Sequence, residues 1–204
     1  MKIIGLCGGS GSGKGLVSSI FETFGFVHID ADAVYHSLTS KITPCLAELV
    51  SFFGDSILNE NNSLNRARLA DIVFSENSSK VLHNKLDEIT HKYVLEEIRA
   101  IIKTLPPEKA GAIIDAPMLF ESGFDKECDF LVSVIADKNI RIARIIKRDG
   151  ISEIKAEQRI SRQKTDKFLI DNTDFQIINN GDFTELEQQV KAITDKITNL
   201  TKEK

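Results

Sequence analysis

The stretch KIIGLC (2–7) runs straight into GGSGSGKG (8–15), and this junction constrains the fold more than any other part of the chain. An apolar β-type run, a glycine-rich turn and then a helical pattern make up the frame in which successive backbone N–H groups converge on phosphate oxygens, with the positive end of a helix behind them. Gly8, Gly13 and Lys14 fill the pattern G-x-x-x-x-G-K-[ST]. Nucleotide phosphates are therefore expected on Gly8, Gly9, Gly11, Ser12, Gly13, Lys14, Gly15 and Leu16, with Lys14 as a mobile cation for the β and γ phosphates. One position departs from the pattern: Gly15 stands where a hydroxyl would bind magnesium.

Further short apolar runs follow, FVHIDA (26–31), GAIIDA (111–116), FLVSVIA (130–136) and FQIINN (175–180), with helical patterns between most of them. That alternation predicts an α/β fold of three layers, a five-stranded parallel sheet wrapped by helices, and continuously apolar strands suit a sheet buried on both faces. The core is expected over 1–32, 111–137 and 168–204. About 80 residues separate the second run from the third, far more than a crossover helix needs. A helical insert is therefore expected at 33–110, on the carboxyl edge of the sheet, with Pro44, a turn-rich DSILNENNS and helices near 65–74 and 79–103. The segment 138–167 is helical and basic, with ten Lys or Arg against four Asp or Glu. In its first half Arg141, Arg144 and Arg148 share one helical face and Ile142, Ile145 and Ile146 another, before Gly150 allows a turn. The closing stretch 184–200 offers a Thr184/Glu187 capping box and an apolar stripe of Leu186, Val190, Ile193, Ile197 and Leu200 for packing on the sheet.

Composition limits the function classes. A net charge of −4 speaks against a protein that coats nucleic acid or an anionic membrane. Cys7, Cys45 and Cys128 lack C-x-x-C spacing, so neither a zinc site nor a redox pair is expected. No apolar run reaches signal-peptide or membrane-span length, and a cytoplasmic protein, a monomer or small homo-oligomer, is expected.

Three sets of side chains carry the expected chemistry. Asp30 and Asp32 end the second strand at the edge where ligands bind in open parallel sheets, and period-two alternation would turn both to one side if the strand continued. One could accept a proton from an attacking hydroxyl and the other hold a magnesium water; Asp30 alone could equally cap the next helix. Asp115 sits at a strand tip, placed to hold metal through water, and Pro117 ends the strand behind it. The arginine face of 138–163 is either a solvated surface or a lid that closes over ATP and spreads transition-state charge, and a chain with a phosphate loop favours the lid.

With these residues in place the sequence resembles the dephospho-coenzyme A kinase family over nearly its whole length. GLCGGSGSGKG (5–15) is similar to that family's G-L-T-G-G-x-G-S-G-K-S, Ile29 to Asp32 to its I-D-A-D, and Asp115 to Glu121 to its D-x-P-L-L-F-E. LNRARLADIVF (64–74) and AEQRISRQ (156–163) resemble its L-[DN]-R-x-x-L-x-x-x-V-F and A-x-x-R-I-x-x-Q segments, and Asn179 with Gly181 its N-x-G. The resemblance implies transfer of the ATP γ-phosphoryl group to the 3′-hydroxyl of dephospho-coenzyme A, with Mg2+ as cofactor. It implies Asp32 as base or orienting group, Lys14 as phosphate cation and Arg144 as lid arginine, with Asn179 near the nucleotide. Arg66, His91, Leu119 and Glu121 would join Asp32 on the acceptor side, and Asp30 and Asp115 would serve the metal. A proline is common in the family where this chain has Lys92, a glutamine is usual at Arg141, and a serine at Gly15. The competing readings are another nucleoside or nucleotide kinase with the same loop, or a nucleotide sensor that kept the cradle and lost the metal ligand.

Overall fold

The computed structural model describes residues 1–75 and 79–200. In chain order the elements are β1 (Lys2–Cys7), α1 (Lys14–Thr23), β2 (Phe26–Asp30), α2 (Ala31–Thr39), α3 (Pro44–Phe53), α4 (Arg66–Val73) and α5 (Lys80–Thr104). They continue with β3 (Gly111–Asp115), β4 (Phe130–Ile135), α6 (Lys138–Asp149), α7 (Glu153–Ser161), α8 (Asp166–Asp171), β5 (Phe175–Ile178) and α9 (Phe183–Asn199).

The five strands form one sheet in the order β2-β3-β1-β4-β5. β1 runs parallel to β3 with Leu6 opposite Asp115, and parallel to β4 with Cys7 opposite Ser133, so the phosphate loop leaves the sheet between the tips of two neighbours. All five expected strands are present as a parallel α/β sheet. All but the first are shorter than their apolar runs, by one residue in β2, β3 and β4 and by two in β5. β2 stops at Asp30 because its carboxylate accepts the N–H groups of Asp32 and Ala33 and starts α2 there. Period-two alternation therefore does not carry through Asp32, which lies in the first turn of a helix. β5 is an edge strand, and Gln189 closes its open side: its amide accepts from Ile178 N–H at 2.8 Å and donates to Ile178 C=O at 2.9 Å.

One apolar core lies between the sheet and the helices α1 and α9, with Ile4, Leu6, Phe21, Val132, Val190 and Ile193 among its buried members. Leu186, Val190, Ile193 and Ile197 of the closing stripe are buried, but Leu200 is 49% exposed beyond the end of α9. The helix is capped by Asp182, which accepts Glu185 N–H at 3.0 Å, and not by the Thr184/Glu187 pair. Thr184 already lies inside the first turn, two positions too late to cap it.

The chain divides into two compact units, Met1–Ile29 together with the chain from Pro106 onward, and Asp30–Leu105. The second unit is made of α2 to α5 around its own core of Cys45, Leu46, Leu49, Ile57, Val73 and Ile89. Thr43 caps α3 with Pro44 at its first position, and Asn65 caps α4. In the first unit, Ile142 and Ile145 of α6 bury against Ala156 of α7, while Gly150, at φ 64°, ends α6.

Candidate active site

α1 begins at Lys14 because Gly13 turns the chain at φ 97°, a left-handed conformation open to glycine. No side chain caps α1. Leu16 N–H donates to Gly13 C=O at 3.1 Å, so the N–H groups at the very start of the helix, at Lys14 and Gly15, are left with the helix dipole as a site for an anion. Within the loop, Ser12 Oγ is buried and has no hydrogen-bond partner among the described residues, which fits a donor waiting for a ligand oxygen. Lys14 Nζ donates to Gly8 C=O at 3.0 Å and lies 3.8 Å from Asp115 Oδ1. The loop cation and the strand-tip carboxylate, 101 positions apart in the chain, thus meet at the end of β1 and β3.

Gly15 is exposed in the first turn of α1, and a Cβ built there would meet nothing within 4 Å. Ser18, the next hydroxyl along the helix, is fully buried with its Oγ unpartnered and does not stand in for the missing one.

The three arginines expected on one face have three different surroundings. Arg141 is only 4% exposed; it donates to Ser10 C=O at 3.0 Å, to Gln163 Oε1 at 3.0 Å and to Asp166 Oδ1 at 3.1 Å. Arg144 donates to Gly11 C=O at 3.2 Å, to Ser12 C=O at 3.5 Å and to Asn179 Oδ1 at 3.4 Å. Arg148 turns to Asp149, whose carboxylate Arg159 also holds. The hydrogen bonds from Arg148 and Arg159 pull the Asp149 carboxyl down to about 2, and this clasp joins α6 to α7. Asn179, expected near the nucleotide, uses its amide on the loop itself, donating to Ser12 C=O at 2.7 Å.

After β3, Leu119 is fully buried, and a Cβ on Gly5 would come within 2.9 Å of its Cδ2. Its side chain packs against Gly5 of β1. Glu121 pairs with Lys164 at 3.0 Å, and Lys164 Nζ also sits 4.3 Å from the ring centre of Phe168, which meets Phe120 edge-on. Cys7, at the start of the loop, has its thiol pushed up to about 12 by burial, with Lys14 opposing and Asp115 reinforcing the shift.

Asp32, Arg66 and His91 belong to the second unit, as does Asp30. Asp32 is exposed at the start of α2. Arg66 opens α4 with its guanidinium 5.5 Å over the Tyr35 ring. His91 is half-buried on α5, and Lys92 beside it pairs with Glu48 at 2.9 Å, whose carboxylate also accepts Tyr93 Oη–H at 2.8 Å. Sequence reasoning did not single out Ser10, Gln163 or Asp166 as site residues. The A-x-x-R-I-x-x-Q segment ends on Gln163, and that was the available signal.

Comparison with known proteins places the chain in one family. A family model described as dephospho-CoA kinase matches residues 2–185. The dephospho-CoA kinase of Aquifex aeolicus is 37% identical over 198 residues, covering 97% of this chain and 98% of the relative. That of Fusobacterium nucleatum is 37% identical over 199 residues, covering 97% and 99%. Among solved structures, the dephospho-CoA kinase from Campylobacter jejuni superposes with a TM-score of 0.70 at 24% identity, covering 98% of this chain and all of the other, and shares its fold.

Proposed function

The chain belongs to the dephospho-CoA kinase family, and from that premise we propose that it transfers the γ-phosphoryl group of ATP to the 3′-hydroxyl of dephospho-coenzyme A, giving coenzyme A and ADP. The observation that carries the reading is the full-length family match joined to an uncapped α1 behind a glycine loop, with Lys14 and Asp115 facing each other at its foot. A pure nucleotide sensor could afford to lose Lys14 and Asp115, and both are intact.

In the reaction, backbone N–H groups of the loop and of the first turn of α1 bind the ATP phosphates, and Lys14 neutralises the β and γ oxygens. Arg144, held at the loop by Gly11 and Ser12, supplies positive charge where negative charge spreads in transfer. Asp32 accepts or orients the proton of the 3′-hydroxyl as its oxygen forms the new bond to phosphorus, while the bond to the ADP oxygen breaks. Arg66 and His91 serve the acceptor, and Glu121 acts through Lys164.

Mg2+ is commonly held by one or two carboxylates, with phosphates and waters completing six oxygens. The residues fit that habit. No group of three or more His, Cys, Asp or Glu among the described residues could hold a metal alone, while Asp115 beside Lys14 offers one carboxylate and Gly15 leaves open space for water. Asp30 spends Oδ1 on the cap of α2, so we assign the ion to Asp115 alone. Held by Asp115, such an ion would supply positive charge against the phosphates during transfer. No helix among the described residues is long and apolar enough to cross a membrane, and we place the enzyme in the cytoplasm.

The test is ADP release from ATP-Mg with dephospho-coenzyme A, adenosine, uridine or nucleoside monophosphates as acceptor. Preference for dephospho-coenzyme A supports the assignment. Equal or faster turnover of a nucleoside assigns the chain to nucleoside phosphorylation.

A further inference from the structure

We propose that Arg141, acting with Gln163, is a positioning residue for the phosphate loop: the two side chains immobilise Ser10 and so set the geometry in which the rest of the loop meets ATP. All three polar groups of Ser10 are taken. Its N–H donates to Gln163 Oε1 at 2.9 Å, its Oγ accepts from Gln163 Nε2 at 3.0 Å, and its C=O accepts from Arg141 Nε at 3.0 Å. Arg141 Nη2 donates in turn to the same Gln163 Oε1, so the two side chains hold each other as well as the serine.

A residue whose N–H is already given away contributes none to a phosphate. Ser10 is therefore the anchored end of the cradle; of the residues that follow, Ser12 gives its own N–H to Gly9 C=O at 3.1 Å and has its buried, unpartnered Oγ to offer the nucleotide. The anchoring is close: a Cβ on Gly9 would overlap the Arg141 guanidinium, and a Cβ on Gly11 would lie 2.6 Å from the Arg141 carbonyl. Glycine at both positions lets α6 approach the loop this far.

The buried guanidinium is costly unless its donors are satisfied and its charge is met. Asp166, 3.1 Å away at the start of α8, supplies the charge. Arg141 thus spans three separate pieces of chain, the loop, the turn after α7 and the first residue of α8. The same short stretch carries Lys164 to Glu121 and Phe168 to Phe120, so the segment after β3 is tied to the loop through it. Lysine cannot reproduce this arrangement, since one ammonium replaces a planar fork that donates in three directions.

This inference rests on the loop binding ATP but not on the identity of the acceptor. The experiment compares Arg141→Lys, Arg141→Ala and Gln163→Ala with the unchanged chain. Three quantities are read: ATP affinity without metal, the KM and kcat for each substrate, and the thermal midpoint. Loss of anchoring should weaken metal-free ATP binding and raise KM for ATP by about tenfold, the worth of roughly one good hydrogen bond. The KM for dephospho-coenzyme A should hold, and kcat should stay within about threefold, as for an interaction that serves ground and transition states alike. Arg141→Lys should resemble Arg141→Ala, because geometry and not charge is what is lost. Unchanged metal-free ATP affinity in Gln163→Ala and Arg141→Lys, whatever happens to the thermal midpoint, would overturn the proposal and leave Arg141 a plain structural ion pair. Full ATP affinity in Arg141→Lys alone would also overturn it, by showing that charge suffices. Should Arg141→Ala not fold, Gln163→Ala still decides, since that side chain is only half-buried. Failure to phosphorylate dephospho-coenzyme A would leave the metal-free affinities readable, so the two claims fail separately.

Discussion

The side-chain amide of Asn179 donates a 2.7 Å hydrogen bond to the carbonyl of Ser12, joining the end of the last strand to a loop 167 residues earlier. Arg144 reaches both partners, donating to Ser12 C=O at 3.5 Å and to Asn179 Oδ1 at 3.4 Å. Arg144 is therefore already at the loop before any nucleotide is considered. Arg144→Ala should lower kcat more than it weakens metal-free ATP binding, because charge on the phosphoryl group is greatest in transfer. Asn179→Ala should instead cost folding stability, about 1–3 kcal/mol, because the Ser12 carbonyl keeps only the longer 3.5 Å bond from Arg144. Steady-state kinetics and urea unfolding of the two variants separate these effects. A loss confined to KM in Arg144→Ala would reduce it to a binding residue.

Gly15→Ser places a hydroxyl where there is open space within 4 Å, in the first turn of α1. The substitution should lower the magnesium concentration needed for half-maximal turnover by roughly 10- to 100-fold, by analogy with the usual worth of metal-shell partners. Metal-free ATP binding should change little, because the backbone N–H groups remain. Serine is also the better helix former by a few tenths of a kcal/mol or so, which the thermal midpoint will register separately. Identical magnesium titrations in the two proteins would show that the metal does not depend on this position.

Asp32→Asn keeps the shape of the first turn of α2 and removes the carboxylate charge. ATP affinity should stay near that of the unchanged chain while turnover falls by about 10²- to 10⁴-fold, the usual range for a general base. Unchanged turnover removes Asp32 from the chemistry.

Burial lifts the thiols of Cys7, Cys45 and Cys128 to about 12, 11 and 12, from a usual value of 9.0. The folded chain keeps them neutral in a range where the unfolded chain ionises. Their contribution to stability is complete below about pH 9 and is lost progressively as pH rises toward 11 and 12. The urea midpoint should therefore fall above pH 9. Alkylation at pH 8 should be slow in the native protein and complete in urea, and a rapidly labelled native thiol would contradict the raised values.

What could be read from the sequence was local, and what could not was long-range. The strands were legible because a strand buried on both faces must be apolar throughout, as Ile113 and Ile114 of β3 are. Lys14 and Asp115 were legible because each ends a strand-and-turn pattern. Asp182 displaced Thr184 as the cap of α9 because two competent side chains lie two positions apart, and only packing of the helix onto the sheet decides between them. Arg141 looked like part of a charged face, since helical periodicity groups it with Arg144 and Arg148. Its burial follows from contacts with Ser10, 131 residues away, and from Gln163 and Asp166, none of which periodicity can report.

The central claim is that this loop delivers phosphate to one particular hydroxyl, and the most direct measurement is to follow the phosphate. ATP labelled at the γ position is incubated with magnesium, dephospho-coenzyme A and the enzyme, and the acceptor is recovered and mapped. The account predicts label as a monoester on the ribose 3′-hydroxyl of dephospho-coenzyme A, with one ADP released for each label transferred. Label recovered only as inorganic phosphate or on a competing nucleoside, with dephospho-coenzyme A unmodified, would contradict it.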